Sequence, residues 1–377
     1  MFANTRILIL FNTKSSIYGF RAELLSRLYQ EGFTLFISAP ESIKEPNDRV
    51  AIDFKFLPTP IERRGMNPLK DLKLFFLYQR YLRSYKPSVV LSYTVKPNTY
   101  GGLACRCYGT PHIANITGLG TSVQNRGTLQ KFVLSLTKAG LSKTKKVFFQ
   151  NGSNRDFYVN RGVVKADRTT LIPGSGVNLA LHSFESYVED SQESTRLLFI
   201  GRMMKDKGLD ELLQALPIVR KAHPSLTCDL VGPYEEDSFM SLIEKYESEG
   251  NGKYLGVSND VHSLIKQSHA VVLPSYHEGM ANVLLEAAAC GRPVLASNVP
   301  GCRETFDEGV SGFGFEPRSV DSLVQAIERF IDLHHEQKAE MGLAGRKKME
   351  REFDRQIVVD AYMREIEKIL DENHKKG

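Results

Sequence analysis

The run Pro274–Pro300, PSYHEGMANVLLEAAACGRPVLASNVP, decides the fold. AVVLPS (Ala270–Ser275) leads into it and reads as a buried strand ending at Pro274. A short loop follows. A helix then starts near Gly279–Asn282, with Val283, Leu284 and Leu285 supplying its buried face. PVLAS (Pro293–Ser297) is the next strand. Strand, helix and strand in such close succession describe a parallel βαβ unit. Exposed N–H groups at a helix start make an anion site. Glu278 precedes this helix and Glu286 completes an E-x7-E spacing. Glu286 sits about one turn beyond Asn282, where a carboxylate can accept hydrogen bonds from vicinal hydroxyls, as on a ribose. A solvated pair of glutamates is the plain alternative. The frame of PSYHEG and EAAACGRPV makes the pattern specific.

Upstream, RLLFIG (Arg196–Gly201) reads as a strand and runs straight into GRMMKDKG (Gly201–Gly208). Arg202 and Lys207 lie in this Gly-bracketed loop with Lys205 between them. Arg offers a bidentate fork and Lys a point charge, which together suit a diphosphate. LTCDLVG (Leu226–Gly232) and KYLG (Lys253–Gly256) read as further strands, with helices over Gly208–Lys221, Ser238–Glu249 and Val320–Leu333. The first half repeats the pattern. Strands are expected at Arg6–Phe11, Thr34–Ala39, Phe54–Pro58, Ser88–Tyr93, His112–Thr117 and Lys146–Gln150. Helices are expected at Ile17–Gln30, Pro68–Tyr85, Thr99–Cys107 and Leu129–Leu141. Strands separated by helices favour parallel sheets covered on both faces. The expected architecture is α/β: two doubly wound domains with a ligand cleft between them at the carboxyl ends of the strands. A Pro- and Gly-containing segment, LIPGSGVN (Leu171–Asn178), and the Ser/Glu-rich stretch Ser183–Thr195 mark the junction. The tail from Lys338 reads as charged helix.

GR-x4-KG at Gly201–Gly208 with E-x7-E at Glu278–Glu286 resembles the donor-binding half of glycosyltransferase family 4, retaining enzymes of the GT-B fold. PGCRE (Pro300–Glu304) and GVN (Gly176–Asn178) resemble the same family, and the likeness covers essentially the full chain. The resemblance implies that Gly201, Arg202 and Lys207 hold the diphosphate of a nucleotide sugar. It implies that Glu278 contacts donor-sugar hydroxyls and that the N–H groups of Gly279, Met280 and Ala281 lie near sugar or phosphate. Glu286 would bind the ribose, and the loop at Gly256 and Val257 would flank the base. Glu278, Arg202 and Lys207 are the implied catalytic set. Three regions are implied: residues 1–175 facing acceptor and membrane, 176–358 binding the donor, and 359–377 a C-terminal helix returning to the first domain.

TKSSIYGFR (Thr13–Arg21) forms the loop after the first strand. Ser15 and Ser16 allow close backbone approach to a ligand, and Gly19 relaxes the turn. SIYGFR resembles the stretch SIYxFR of bacterial enzymes that extend undecaprenyl-diphosphate-linked sugars, N-acetylgalactosaminyltransferases among them, and the chain as a whole also resembles capsule and O-antigen assembly transferases. By that resemblance Ser15, Ser16, Tyr18, Gly19, Arg21, Lys96 and Gly118 line an acceptor site, with Arg21 and Lys96 on the acceptor diphosphate. SYTVKPN (Ser92–Asn98) and TGLGT (Thr117–Thr121) occupy the corresponding places. Family members often carry a His in this domain. TGLG has none, so that role is unassigned. The implied reaction moves a sugar, an N-acetylhexosamine such as GalNAc, from a UDP-sugar to a polyprenyl-diphosphate-linked sugar. No DxD motif stands at a strand end, so transfer without metal or further cofactor is expected.

The net charge of the 377 residues is +5, but it is unevenly distributed. Residues 1–175 carry 26 Lys/Arg and 10 Asp/Glu, and the remainder carries 23 and 34. The 84 residues from Leu72 to Arg155 hold 13 basic side chains and no acidic one. MNPLKDLKLFFLYQRYLRSYK (Met66–Lys86) and TLQKFVLSLTKAGLSKTKK (Thr128–Lys146) interleave apolar and basic residues, a composition suited to peripheral docking on an anionic bilayer. No run of about 18 apolar residues occurs and the N-terminus reads as a strand, so a cytoplasmic protein on the inner membrane face is expected. The five scattered cysteines contain no CxxC pair, which points to neither a disulfide framework nor a zinc site. The first strand is not followed by GxGxxG, and no Walker A sequence is present, which argues against a nicotinamide dehydrogenase and a P-loop enzyme. No nucleic-acid-binding motif is present either. A nucleotide-sugar epimerase and a soluble transferase with a non-lipid acceptor are the enzymatic alternatives.

Overall fold

The structure is a computed structural model that describes residues 5–13, 16–40, 52–62, 67–118, 127–189 and 194–375. It divides into two compact units, Met1–Ser175 with Arg355–Gly377, and Gly176–Asp354. The return to the first unit thus starts at Arg355, four residues before the expected 359.

Among the described residues the first unit holds seven parallel strands: β1 Arg6–Leu10, β2 Thr34–Ala39, β3 Lys55–Pro58, β4 Val89–Tyr93, β5 His112–Ile116, β6 Lys146–Phe149 and β7 Thr169–Leu171, in the order β3-β2-β1-β4-β5-β6-β7. RILIL is apolar without interruption because both faces of β1 are covered. Ile7 and Ile9 pack into one core, and Leu8 and Leu10 into another, as the two-residue period of a strand requires. The first core is closed by helix α1 (Ala22–Gln30) and by the C-terminal helix Arg355–His374, whose Val358, Tyr362, Ile366 and Ile369 are buried in it. Arg355 donates to both carboxylate oxygens of Glu23 at 3.0 Å. The second core lies under helices α2 (Pro68–Tyr85) and α3 (Gly102–Tyr108). Asn67 caps α2 by accepting from the N–H groups of Leu69 and Lys70, and Pro68 occupies the first helical position.

The described residues of the second unit form five parallel strands, β8 Arg196–Ile200, β9 Thr227–Val231, β10 Ala270–Leu273, β11 Val294–Ser297 and β12 Gly312–Phe315, in the order β12-β11-β10-β8-β9. A large apolar core fills this unit, with a smaller separate cluster around Met280, Leu285, Met349 and Phe353.

Several elements differ from the expectation. KYLG is not a strand: Tyr254 makes one isolated bridge to Leu230. β7, β12 and the helices Gly152–Asn160 and Val261–Lys266 were not anticipated. The helix expected from Ile17 is a wide π turn over Ser16–Phe20 followed by α1, and the one expected from Thr99 is a π turn over Pro97–Gly101 followed by α3. Leu129–Leu141 is helical from Thr128. The boundary between the units falls at Ser175, the expected end of the first region, inside LIPGSGVN and upstream of Ser183–Thr195.

Candidate functional site

In the second unit the chain runs from β8 outward to β9, then crosses back to β10 on the other side of β8. This reversal opens a crevice at the carboxyl ends of β8 and β10. The loops that leave those ends are Gly201–Gly208 and Pro274–Ala281. The structure therefore brings together the two motifs that the sequence singles out. Two glycines make the close approach possible. Gly208 has φ +67°, and a Cβ there would lie 2.0 Å from the Pro274 carbonyl oxygen. Gly301, from PGCRE, has φ +87°, and its Cβ would lie 2.7 Å from the Glu278 carbonyl oxygen. Only glycine satisfies both the left-handed backbone and the space. The Tyr276 N–H donates to the Asp206 carbonyl at 3.0 Å, tying one loop to the other.

Across this junction Lys207 Nζ donates to Glu278 Oε1 at 2.5 Å, and Ser275 Oγ donates to the same oxygen at 2.8 Å. The two charged side chains are 17% and 14% exposed, so the pair is held largely out of water. Ser275, which the sequence reading did not single out, sits three residues before Glu278 and orients it. Arg202 Nη1 donates to Glu235 Oε2 at 3.1 Å and keeps more of its surface open. Gly256 and Val257 border the end of β9: the Gly232 N–H donates to the Gly256 carbonyl at 2.8 Å, and Val257 is exposed. Helix Asn282–Ala289 buries Leu284, Leu285, Ala287, Ala288 and Ala289, while Asn282 and Glu286, one turn apart, lie on its more open side. Among the described residues the buried Asn282 side-chain oxygen has no hydrogen-bond partner, a feature invisible in the sequence. One expectation is corrected. The Ala281 N–H is committed to the Gly301 carbonyl at 2.8 Å, because PGCRE folds back beneath the helix start. It therefore does not face a ligand. Met280 is buried beside it, packed with Val177, Leu285, Met349 and Phe353. His277 is exposed.

The first unit has its own reversal between β1 and β4. Each of these strands is followed by a π turn, a wide turn common at functional sites. Tyr18 is partly buried and Gly19 exposed in the first turn. Ser15 lies outside the described residues, and Ser16 opens the turn. Arg21 is buried, with its guanidinium 4.7 Å over the Tyr93 ring and one N–H donated to the Phe20 carbonyl at 2.8 Å. Lys96 is not an open cation. Its Nζ donates to Asp71 Oδ1 at 2.8 Å, and Tyr100 donates to Asp71 Oδ2 at 3.1 Å. Gly118 is the last described residue of TGLGT before residues 119–126.

A buried network supports this end of the sheet. Ser92 Oγ donates to Asn98 Oδ1 at 2.6 Å, and Asn98 Nδ2 donates to the Asn115 carbonyl at 2.8 Å. The Ser92 proton is thereby used, so His112 Nε2 donates to Ser92 at 2.6 Å and His112 Nδ1 accepts from Thr144 at 2.9 Å. Burial holds the His112 imidazole down to about 3, so it stays neutral. His112 is a structural member of this network and does not fill the role left open at TGLG.

Comparison with known proteins bears on the two-unit fold. The family model "Glycosyl transferases group 1" matches residues 185–348, and "Glycosyl transferase 4-like" matches residues 6–151. The chain is 26% identical to N,N'-diacetylbacillosaminyl-diphospho-undecaprenol alpha-1,3-N-acetylgalactosaminyltransferase of Campylobacter jejuni, over 97% of this chain and 99% of the relative. Among solved structures, sucrose-phosphate synthase of Thermosynechococcus elongatus superposes with a TM-score of 0.79 at 20% identity, covering 98% of this chain and 100% of that one. The Anabaena protein HepE, solved in complex with UDP-glucose, superposes with a TM-score of 0.75 at 18% identity, covering 98% and 100%. With two Rossmann-like parallel-sheet units, a group 1 domain on the second and a 4-like domain on the first, the chain belongs to the family 4 glycosyltransferases of the GT-B fold.

Proposed function

We propose that this glycosyltransferase moves an N-acetylhexosamine such as GalNAc from a UDP-sugar to an undecaprenyl-diphosphate-linked sugar, with retention at the anomeric carbon and without a metal. The observation that carries the donor half is the Lys207–Glu278–Ser275 cluster, with Arg202 nearby, at the β8/β10 reversal. UDP-glucose in HepE supports a UDP-sugar, and the name of the Campylobacter relative supports a diphosphate-lipid acceptor. The acceptor hydroxyl attacks the anomeric carbon on the face from which UDP departs. The bond from that carbon to the phosphate oxygen breaks as the new glycosidic bond forms, and the departing phosphate takes the hydroxyl proton. Arg202 and Lys207 stabilise its negative charge. Glu278 orients the donor sugar, Glu286 the ribose, and the first-unit loops at Tyr18–Arg21 and Lys96 receive the acceptor.

The test is incubation with a panel of UDP-sugars and a short polyprenyl-diphosphate sugar, read by mass spectrometry. A lipid product heavier by one N-acetylhexosamine is expected. Epimerised donor without acceptor consumption, or transfer confined to soluble acceptors, would replace this reading.

The same proposal places the first unit on the inner face of an anionic bilayer. No helix among the described residues is long and apolar enough to cross a membrane. Leu69 and Phe132 are 73% and 58% exposed, and Phe132 lines a groove of about 540 Å³ with Asp71, Leu72, Phe75, Leu103 and Leu136. Arg106 joins that lining. Burying a Leu or Phe side chain contributes about 1.5–3 kcal/mol. The double variant Leu69→Ser, Phe132→Ser should therefore bind anionic liposomes at least about ten-fold more weakly in co-sedimentation. Unchanged sedimentation would remove this face from the docking surface.

A further inference from the structure

We infer that His182, His262 and Cys290 of the second unit form a zinc site. Their ligand atoms lie within 4.8 Å of one another, although the residues are far apart in sequence. Cys290 Sγ is 3.2 Å from His262 Nδ1 and 4.0 Å from His182 Nδ1. A tetrahedral zinc with one thiolate and imidazole ligands has S···N edges of about 3.5 Å, so these separations need only a small adjustment.

The surroundings are those of a ligand set. Each imidazole presents Nδ1 to the sulfur and Nε2 to a carboxylate. His262 Nε2 is 3.0 Å from Glu185 Oε1, and His182 Nε2 is 4.0 Å from Glu286 Oε1. A carboxylate behind a metal-bound imidazole fixes the ring and its tautomer, leaving the facing nitrogen lone pair for the metal. The backbone around the site is pinned as well. Arg292 donates to the carbonyls of Glu185, Ser186, Lys266, Cys290 and Gly291, and Arg346 to those of His182 and Ala289. Glu185 also pairs with Lys266 at 2.9 Å, and Arg346 with Glu350 at 2.7 Å. On binding, the Cys290 thiol releases its proton to solvent. The thiolate, two neutral imidazoles and one water then complete four ligands. The ion would tie the His182 segment and the helix Val261–Lys266 to the end of the helix that carries Glu286. It adjoins the proposed donor site through Glu286, the residue assigned to the ribose, but supplies no group to the transfer step.

The test is titration of the full-length, chelator-treated protein with Co²⁺ and then Zn²⁺. One equivalent of Co²⁺ should give a thiolate-to-cobalt charge-transfer band, which one equivalent of Zn²⁺ removes. Cys290→Ser should abolish the band. Glu185→Gln should weaken zinc binding about 10- to 100-fold, as loss of a supporting carboxylate does elsewhere. No band with the wild type overturns the site. A band that survives Cys290→Ser comes from another thiol, such as the exposed Cys107, and overturns it equally. Should Cys290→Ser fail to fold, the half-buried His262→Gln substitution decides, and unchanged zinc affinity rejects the assignment.

Discussion

Replacing Lys207 with alanine is expected to lower kcat about 100- to 1,000-fold, the scale set by removing one preorganised donor to a developing negative charge. Lys207 stands at the carboxyl end of β8 and is fixed before any substrate arrives, by Glu278 on the neighbouring loop. Its charge therefore needs little reorganisation when UDP leaves. The substitution also leaves Glu278 without its cation in a poorly solvated place. A comparison with Lys207→Met and Glu278→Gln separates the two effects. The double variant removes both charges and should recover stability to denaturant without recovering kcat. Near-normal kcat in Lys207→Ala, or in the double variant, would end the leaving-group assignment. Arg202→Ala should lose activity in the same direction. Arg202 is paired at a more open position, so its unfolding midpoint should move less.

Lys96→Met is expected to destabilise the first unit by about 3–5 kcal/mol, measured by denaturant unfolding, because it strands a buried carboxylate. Asp71 is 8% exposed and Lys96 16%, and α2 holds Asp71 where water does not replace the lost ammonium. Combining Lys96→Met with Asp71→Leu should restore most of the loss, since an apolar pair tolerates burial. The stabilised double variant then isolates the acceptor role. If Lys96 also holds the acceptor diphosphate, KM for the lipid rises while KM for the UDP-sugar is unchanged. Restored transfer kinetics would make Lys96 a purely structural partner of Asp71.

Legibility from the sequence followed the range of the interactions. RILIL, AVVL and NVLLEAAA were readable because their apolar periods directly report burial on both faces of a sheet or along a helix. β12 was missed because its sequence, GFGF, alternates glycine with phenylalanine and carries weak strand propensity. KYLG lies along β9 and exchanges backbone hydrogen bonds with Leu230 and Gly232, but its pairing amounts to one isolated bridge, so the expected strand is an irregular edge segment. The two π turns lie at the ends of β1 and β4. No periodicity distinguishes a wide turn from the first turn of an α-helix.

The alternation of strand and helix, the GR-x4-KG and E-x7-E loops at strand ends, and the family they resemble are all legible in the amino-acid order alone. These are local patterns whose spacing is set by helical rise and strand pleat. Tertiary structure decided which groups answer one another across the sheet order. It placed Lys207 on Glu278, gave Lys96 to Asp71, committed the Ala281 N–H to Gly301, and collected His182, His262 and Cys290 from three separate segments. Electrostatic pairing and metal-ligand geometry act over a few ångströms of space. Separation along the chain carries no information about them until the order of the strands is known.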